Sequence, residues 1–122
     1  MSTVKTGLLV FAAAFAFASA ADAHAVLKAA GPAPGSVVNT SPKAIRIQFN
    51  EPVEVAFTGI ELKDSTGKAQ PVGATAVDAK DKAQIIVPVT GDLAPGKYTV
   101  SWHAVGDDTH KTQGSFNFEV KK

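Results

Sequence analysis

The chain has 122 residues and no cysteine, and its 12 basic and 11 acidic side chains leave a formal charge of +1 at pH 7. The absence of cysteine excludes disulfides, thiolate chemistry, cysteine-based zinc sites and iron–sulfur clusters. The nearly neutral charge gives no reason to expect nucleic acid or an anionic membrane as a partner.

The first 23 residues have the pattern of a secretory signal peptide. Lys5 supplies a positive start, Leu8–Ala18 is an apolar run of eleven residues, and Ala21-Asp22-Ala23 has the small-x-small form that signal peptidase reads. The apolar run is shorter than the about 20 residues that a membrane-spanning helix needs. We therefore expect residues 1–23 to be cleaved during export, which leaves residues 24–122 as one domain without a membrane span.

Strict alternation of apolar and polar residues dominates the rest of the chain and predicts β-strands. The clearest runs are Lys43–Asn50, Gly59–Lys63, Lys97–Ala104 and Ser115–Lys121, and weaker ones are Ala25–Ala29, Val72–Val77 and Gln84–Val89. About seven short strands separated by turn-forming residues predict an all-β antiparallel sandwich with Greek-key connections. Because Pro88 lacks a backbone N–H, we expect the strand that contains it to lie at a sheet edge or to be interrupted there.

His24 becomes the first residue when cleavage follows Ala23. A terminal histidine offers its α-amine and its imidazole Nδ1 to one metal ion, whereas the backbone nitrogen of an internal histidine is an amide. The α-amine has an ordinary pKa of about 7.7–8.0, so protons compete only modestly with a metal near neutral pH. The simpler interpretation is a solvated residue that binds nothing.

Asp108 and His110 follow the predicted strand that ends near Ala104. In an extended segment their side chains, two residues apart, project to the same side and can converge on one ion. Together with His24 they supply nitrogen and carboxylate ligands, a set that suits Cu(II) better than the tetrahedral closure preferred by Zn(II). The alternative is that this Asp-x-His segment is an ordinary turn.

Of three further residues, Glu51 has two interpretations, whereas His103 and Trp102 are each expected to be structural. Glu51 follows the strand ending near Phe49, and is either a surface acid in a turn or a base or weak extra ligand beside the metal. His103 lies on the polar face of its strand and is expected to be exposed and dispensable for metal binding. Trp102 lies on the opposite face and is expected to be a core aromatic.

Several motifs occur in order over essentially the whole of residues 24–122. They are His24-Ala25-x-Leu27, Pro32-Ala33-Pro34-Gly35-Ser36, Ile47-Gln48-Phe49-Asn50-Glu51-Pro52-Val53-Glu54, Leu93-Ala94-Pro95-Gly96-Lys97-Tyr98 and Trp102-x-x-Val105-x-x-Asp108-Thr109-His110-x-x-x-Gly114-x-Phe116-x-Phe118-x-Val120. Each motif is weak alone, but the ordered set resembles the CopC family of periplasmic copper-binding proteins.

The resemblance implies a cupredoxin-like, immunoglobulin-like Greek-key sandwich or barrel with one type 2 Cu(II) ion per chain. Its ligands would be His24 with its α-amine, Asp108 and His110, with Glu51 close to the metal. Some members of this family also bind Cu(I) in a methionine-rich loop, but Met1 is the only methionine here, so no Cu(I) site is expected. The family implies a non-enzymatic copper carrier in resistance or uptake, often beside a CopD-type inner-membrane partner.

Two other functions are compatible with the sequence. Copper held by a terminal histidine and a second histidine also occurs in lytic polysaccharide monooxygenases, although 99 residues from His24 onward leave little area for a polysaccharide platform, and Asp108 would be a foreign ligand there. The second alternative is a metal-free structural sandwich.

The cleavage point also has alternatives, because Ser19-Ala20-Ala21 and Ala18-Ser19-Ala20 have the same small-x-small form. Cleavage after Ala21 would place His24 third in the chain. In that position the terminal amine, two amide nitrogens and the imidazole can wrap around Cu(II) or Ni(II) without Asp108 or His110.

Overall fold

The computed structural model describes residues 25–122. Its strands are β1 (Leu27–Gly31), β2 (Val37–Val38), β3 (Ala44–Phe49), β4 (Gly59–Asp64), β5 (Ala76–Asp78), β6 (Asp81–Pro88), β7 (Gly96–Val105) and β8 (Lys111–Val120), with a 3-10 helix at Val55–Phe57. That three-residue turn is too short to cross a bilayer, and no other helix occurs in this part of the chain. The predicted signal peptide, its cleavage point and His24 lie outside the described residues.

The strands form two four-stranded sheets, one in the order β1-β3-β6-β5 and the other in the order β2-β8-β7-β4. All pairs are antiparallel except β2 with β8. Only the β5–β6 and β7–β8 connections stay within one sheet, and every other connection crosses to the opposite one. The predicted all-β sandwich is therefore confirmed, with two separate sheets rather than a closed barrel.

The strand that contains Pro88 was expected to lie at a sheet edge or to be interrupted at the proline. The edge alternative is wrong, because β6 lies inside its sheet between β3 and β5, but the strand does end at Pro88. The proline is tolerated since it is the last residue of the strand, where the ladder ends. The predicted strand Val72–Val77 is wrong in its first part, because only its last two residues belong to a strand, β5. Val72 makes an isolated bridge to Val89 instead. The short β2 was not predicted, because two residues are too few to show alternation.

The apolar faces of both sheets meet in one core, as the alternation predicts. Trp102 and Phe49 pack edge to face across the two sheets, with ring centroids 5.4 Å apart. Gly114 lies opposite Trp102 in the β7–β8 ladder, and a Cβ on it would come within 2.7 Å of the indole ring. The large ring therefore occupies space that any side chain at position 114 would fill.

Tyr98, the only tyrosine, is buried near the start of β7. Its ring stacks on Phe118 at a centroid distance of 5.6 Å, and its hydroxyl donates a 2.6 Å hydrogen bond to the carbonyl oxygen of Ala94. This arrangement is the tyrosine corner of Greek-key sandwiches. Burial raises the pKa of Tyr98 above its ordinary value of 10.0, and Asp64 adds to the rise while Lys122 opposes it.

Tyr98→Phe is expected to reduce the free energy of unfolding by about 1–1.5 kcal/mol, because it leaves the Ala94 carbonyl without its hydroxyl donor. The raised pKa of Tyr98 means that the unfolded chain releases this proton first. The stabilisation is therefore complete below pH 10 and declines as the pH rises through the folded-state pKa. Urea denaturation across this range should show a steeper alkaline loss for the wild type than for Tyr98→Phe; parallel curves would contradict the assignment.

Candidate metal centre

The described chain enters the sandwich at Ala25, the residue after His24. Ala25 is completely buried and belongs to the main core cluster. The hydroxyl of Thr112 in β8 donates a 2.7 Å hydrogen bond to the carbonyl oxygen of Ala25. The residue that follows His24 is thus held against the beginning of β8.

Gly106–His110, which joins β7 to β8, forms a tight turn at the same end of the sandwich. The amide of Thr109 donates a 2.9 Å hydrogen bond to the carbonyl oxygen of Gly106. Thr109 has a φ of 66°, the left-handed conformation that β-branched residues rarely adopt. Strained backbone of this kind persists only where surrounding contacts enforce it, and it is frequent at binding sites.

Asp108 and His110 lie side by side across this turn. One Asp108 carboxylate oxygen, Oδ2, is 3.3 Å from His110 Nδ1, and Oδ1 accepts a 3.1 Å hydrogen bond from the His110 amide. The sequence pattern predicts that Asp108–His110 is extended, and this prediction is wrong. The side chains meet because the left-handed Thr109 and the Asp108–amide contact close a turn.

The two side chains differ in their access to solvent. The side chain of His110 is 66% exposed, whereas that of Asp108 is 26% exposed. The imidazole therefore faces water while the carboxylate is partly enclosed. An exposed imidazole beside a carboxylate can accept a metal ion from solution or pass one to a docked protein.

Glu51 lies behind the same turn. A Cβ added to Gly106 would be 2.8 Å from Glu51 Oε1 and 3.4 Å from the Cβ of Ala25, so glycine allows all three groups to pack closely. The backbone bridge between Val53 and Gly106 holds the Glu51 segment beside the end of β7. Glu51 is half-buried at this contact rather than being a fully solvated acid.

Residues 25–122 supply only part of a metal site. Within this range no group of three or more histidine, aspartate or glutamate side chains is arranged to hold a metal ion. Asp108 and His110 provide one carboxylate and one imidazole, and His24 lies outside the described residues. The donors suit Cu(II) in type, since this ion accepts nitrogen and oxygen ligands, but they need further ligands to complete its coordination.

His103 lies on the outer face of β7 and is exposed, as the alternation predicts. Its neighbours in register are Gly59 in β4 and Gln113 in β8. A Cβ on Gly59 would be 3.4 Å from His103 Cε1, so the imidazole lies across that glycine. Phe57 and Lys111 line a shallow groove beside it.

Asn50 is not marked by any sequence motif as a site residue, yet it contacts Val26, two residues after His24. Its side-chain Oδ1 accepts a 2.7 Å hydrogen bond from the Val26 amide, and its own amide donates a 3.1 Å hydrogen bond to the Val26 carbonyl oxygen. Thr112 was missed in the same way. No pattern in the sequence marks either residue, because both contacts join segments far apart in the chain.

The CopC domain family model matches residues 27–121 of this chain. The protein YobA from Escherichia coli K12 is 40% identical over 102 residues, which cover 81% of this chain and 80% of that protein. The chain belongs to the CopC family. The predicted family resemblance is thereby confirmed.

Two solved structures support the assignment. The crystal structure of CopC from Methylosinus trichosporium OB3b has a TM-score of 0.75 and 29% identity, covering 80% of this chain and 94% of that one. PcoC from Escherichia coli, described as a methionine-rich copper resistance protein, has a TM-score of 0.71 and 33% identity, covering 81% of this chain and 100% of that one. Both share the sandwich described above.

Other relatives carry functional names. Copper resistance protein C from Escherichia coli is 33% identical, covering 97% of this chain and 94% of that protein. Copper transport protein CutJ from Bacillus subtilis is 29% identical over 82% of this chain but only 18% of its own length. These names describe copper resistance and transport proteins rather than enzymes, in agreement with the predicted absence of enzymatic activity.

Proposed function

We propose that this CopC-family protein is a periplasmic carrier that binds one Cu(II) ion per chain at its processed N-terminus. The ligands are the α-amine and imidazole of His24, the carboxylate of Asp108 and the imidazole of His110. The main support is the position of Ala25, which is buried and bonded at the end of the sandwich where the Gly106–His110 turn lies. A residue directly before Ala25 starts within a few ångströms of that end of the fold.

The ligand set favours the oxidised ion. Imidazole, amine and carboxylate donors bind Cu(II) most strongly among the divalent first-row metals, whereas Cu(I) prefers soft sulfur. Residues 24–122 contain neither cysteine nor methionine. In this respect the chain differs from the methionine-rich PcoC. We therefore propose a Cu(II) protein without a Cu(I) site.

A carrier role is consistent with the exposure of the site. The 66% exposed imidazole of His110 can be approached by an acceptor protein. The relatives include copper resistance proteins. They also include a copper transport protein in which the region similar to this chain makes up 18% of the length. The name of that longer relative favours a copper-transporting partner of the CopD type for this domain.

The proposal is tested on the exported protein. Intact mass should identify His24 as the first residue, and titration with Cu(II) against a competing chelator should show one equivalent bound with sub-micromolar affinity. The electron paramagnetic resonance spectrum should be of type 2, with nitrogen couplings. A dissociation constant weaker than roughly micromolar would leave a metal-free structural sandwich as the better interpretation.

The enzymatic alternative has its own test. A monooxygenase with a histidine-brace site would oxidise chitin or cellulose when given copper and a reductant. We expect no such turnover, because Asp108 occupies a ligand position and the small sandwich offers little flat surface. Copper-dependent release of oxidised sugars would contradict the carrier proposal.

A further inference from the structure

The two residues that follow His24 are held by three separate contacts from distant parts of the fold. We propose that Thr112 and Asn50 are positioning residues that set the geometry and affinity of the copper site by clamping Ala25 and Val26. This inference rests on the proposed function, because the clamp matters for copper only when His24 is a ligand. Neither residue is proposed to touch the metal.

The first contact acts on the backbone of Ala25. Its carbonyl oxygen accepts the 2.7 Å hydrogen bond from the Thr112 hydroxyl, across 87 residues of chain. Thr112 lies in register with Ala104 in the β7–β8 ladder, so it belongs to the first stretch of a paired strand rather than to a loop. The sheet that carries the Asp108–His110 turn therefore also holds the residue next to His24.

The second contact acts on Val26. Asn50 accepts from the Val26 amide through its side chain and donates from its own amide to the Val26 carbonyl oxygen, at 2.7 Å and 3.1 Å. The pair continues the antiparallel alignment of β1 and β3 past the Leu27–Phe49 pair, with the Asn50 side chain as one of the two bonding groups. The register of β1 shifts on the other side of that pair, between Leu27 and Ala29. The backbone of Val26 is therefore fixed although the residue is 49% exposed.

The third contact is the side chain of Ala25 itself. It is completely buried, and it packs against the point where Gly106 begins the metal-binding turn. A larger residue at position 25 or a Cβ at position 106 would push the N-terminal segment and the turn apart. The clamp thus links the terminal segment directly to the turn that carries Asp108 and His110.

A clamp is needed because chain termini are ordinarily disordered unless they are tied down. A terminal ligand that moves freely must lose conformational entropy when it binds the metal, and this loss lowers the affinity. Contacts that order Ala25 and Val26 in the metal-free protein remove much of that cost in advance. The same contacts limit the directions from which the α-amine and imidazole of residue 24 can approach the ion.

The experiment compares Thr112→Val, which removes the hydroxyl but keeps the branched shape, with Thr112→Ser, which retains the hydroxyl. Thr112→Val should weaken Cu(II) binding by about three- to tenfold, as expected for the loss of one hydrogen bond, and should alter the electron paramagnetic resonance parameters. Thr112→Ser should restore both to near the wild-type values. Asn50→Ala should weaken binding similarly and accelerate hydrogen exchange of the Val26 amide in the metal-free protein.

Thr99→Val is the matched control. Thr99 is also a half-buried threonine of the same sheet, and its hydroxyl donates a 2.9 Å hydrogen bond to Asn117. It lies five residues along β7 from the partner of Thr112, which is about 17 Å at roughly 3.3 Å per residue. Thr99→Val should lose a comparable amount of stability in urea denaturation without changing copper affinity or the spectrum.

The outcomes separate the clamp from the proposed function. If wild type binds Cu(II) tightly and Thr112→Val matches it in affinity and spectrum, the clamp is refuted while the copper site stands. An equal loss of affinity in Thr99→Val would also overturn it, since general destabilisation would then be the cause. If wild type does not bind Cu(II), the proposed function fails, whereas faster Val26 exchange in Asn50→Ala would still establish the contact itself.

Discussion

Replacement of His110 by alanine is expected to weaken Cu(II) binding by at least about 100-fold. Loss of a residue that only supports a metal ligand already costs 10–100-fold, and His110 would supply a ligand directly. Its side chain is 66% exposed, so the substitution should change the free energy of unfolding by no more than about 0.5 kcal/mol. Chelator competition measures the affinity, and urea denaturation verifies that the fold is retained.

The chain contains its own control for this experiment. His103 is exposed on β7, seven residues before His110, and is therefore similar in chemistry and access to solvent. His103→Ala should bind Cu(II) with wild-type affinity, whereas Asp108→Ala and His24→Ala should resemble His110→Ala. If His103 proved essential and His110 dispensable, the ligand assignment would be wrong.

Extension of the mature chain by a single residue is expected to have an effect of the same size. A chain that begins at Ala23 turns the backbone nitrogen of His24 into an amide and removes the chelate ring formed by its α-amine. We expect the affinity to fall by at least about 100-fold, as for loss of a ligand. The folded domain should be unaffected, because Ala25, Thr112 and their hydrogen bond are unchanged. Purified chains with defined first residues allow this comparison directly.

Extension by two residues distinguishes the two modes of copper binding. A chain that begins at Asp22 places His24 third, where the terminal amine, two amide nitrogens and the imidazole can bind Cu(II) on their own. Addition of His110→Ala to that chain should leave its affinity unchanged, whereas the same substitution in the chain beginning at His24 should abolish tight binding. Strong dependence on His110 in both chains would mean that the α-amine of His24 is not a ligand.

The sequence predicted most of the architecture, because alternation reports directly which side chains face the core. Ile45, Ile47 and Phe49 are buried in β3, and Phe116, Phe118 and Val120 are buried in β8, all at alternating positions. Alternation carries no information about which strands are neighbours. For the strand containing Pro88 the sequence therefore left two alternatives, a sheet edge or an interruption, and the structure shows that β6 lies inside its sheet and ends at the proline.

In the candidate site, too, one part could be predicted from the sequence and another part could not. The residue types and spacing of His24, Asp108 and His110 predict copper ligands, an assignment that stays a prediction, and the family match supports the association with copper. The local conformation was not predictable from spacing. Asp108 and His110 meet through a turn with a left-handed Thr109, not through an extended segment. A threonine carries no sequence signal for that conformation, because only contacts made by the folded chain stabilise it.

The sequence by itself therefore determined the class of fold, the family and the chemical nature of the candidate ligands, since these depend on local patterning and on the donor atoms available. Only the tertiary structure brought the segment after His24 to the end of the sandwich that carries the Asp108–His110 turn. That proximity depends on hydrogen bonds from Asn50 and Thr112, which lie 24 and 87 residues from their partners. The Asn50 contact forms only when β1 pairs with β3, and the Thr112 contact forms only when the two sheets pack, so no local pattern records them.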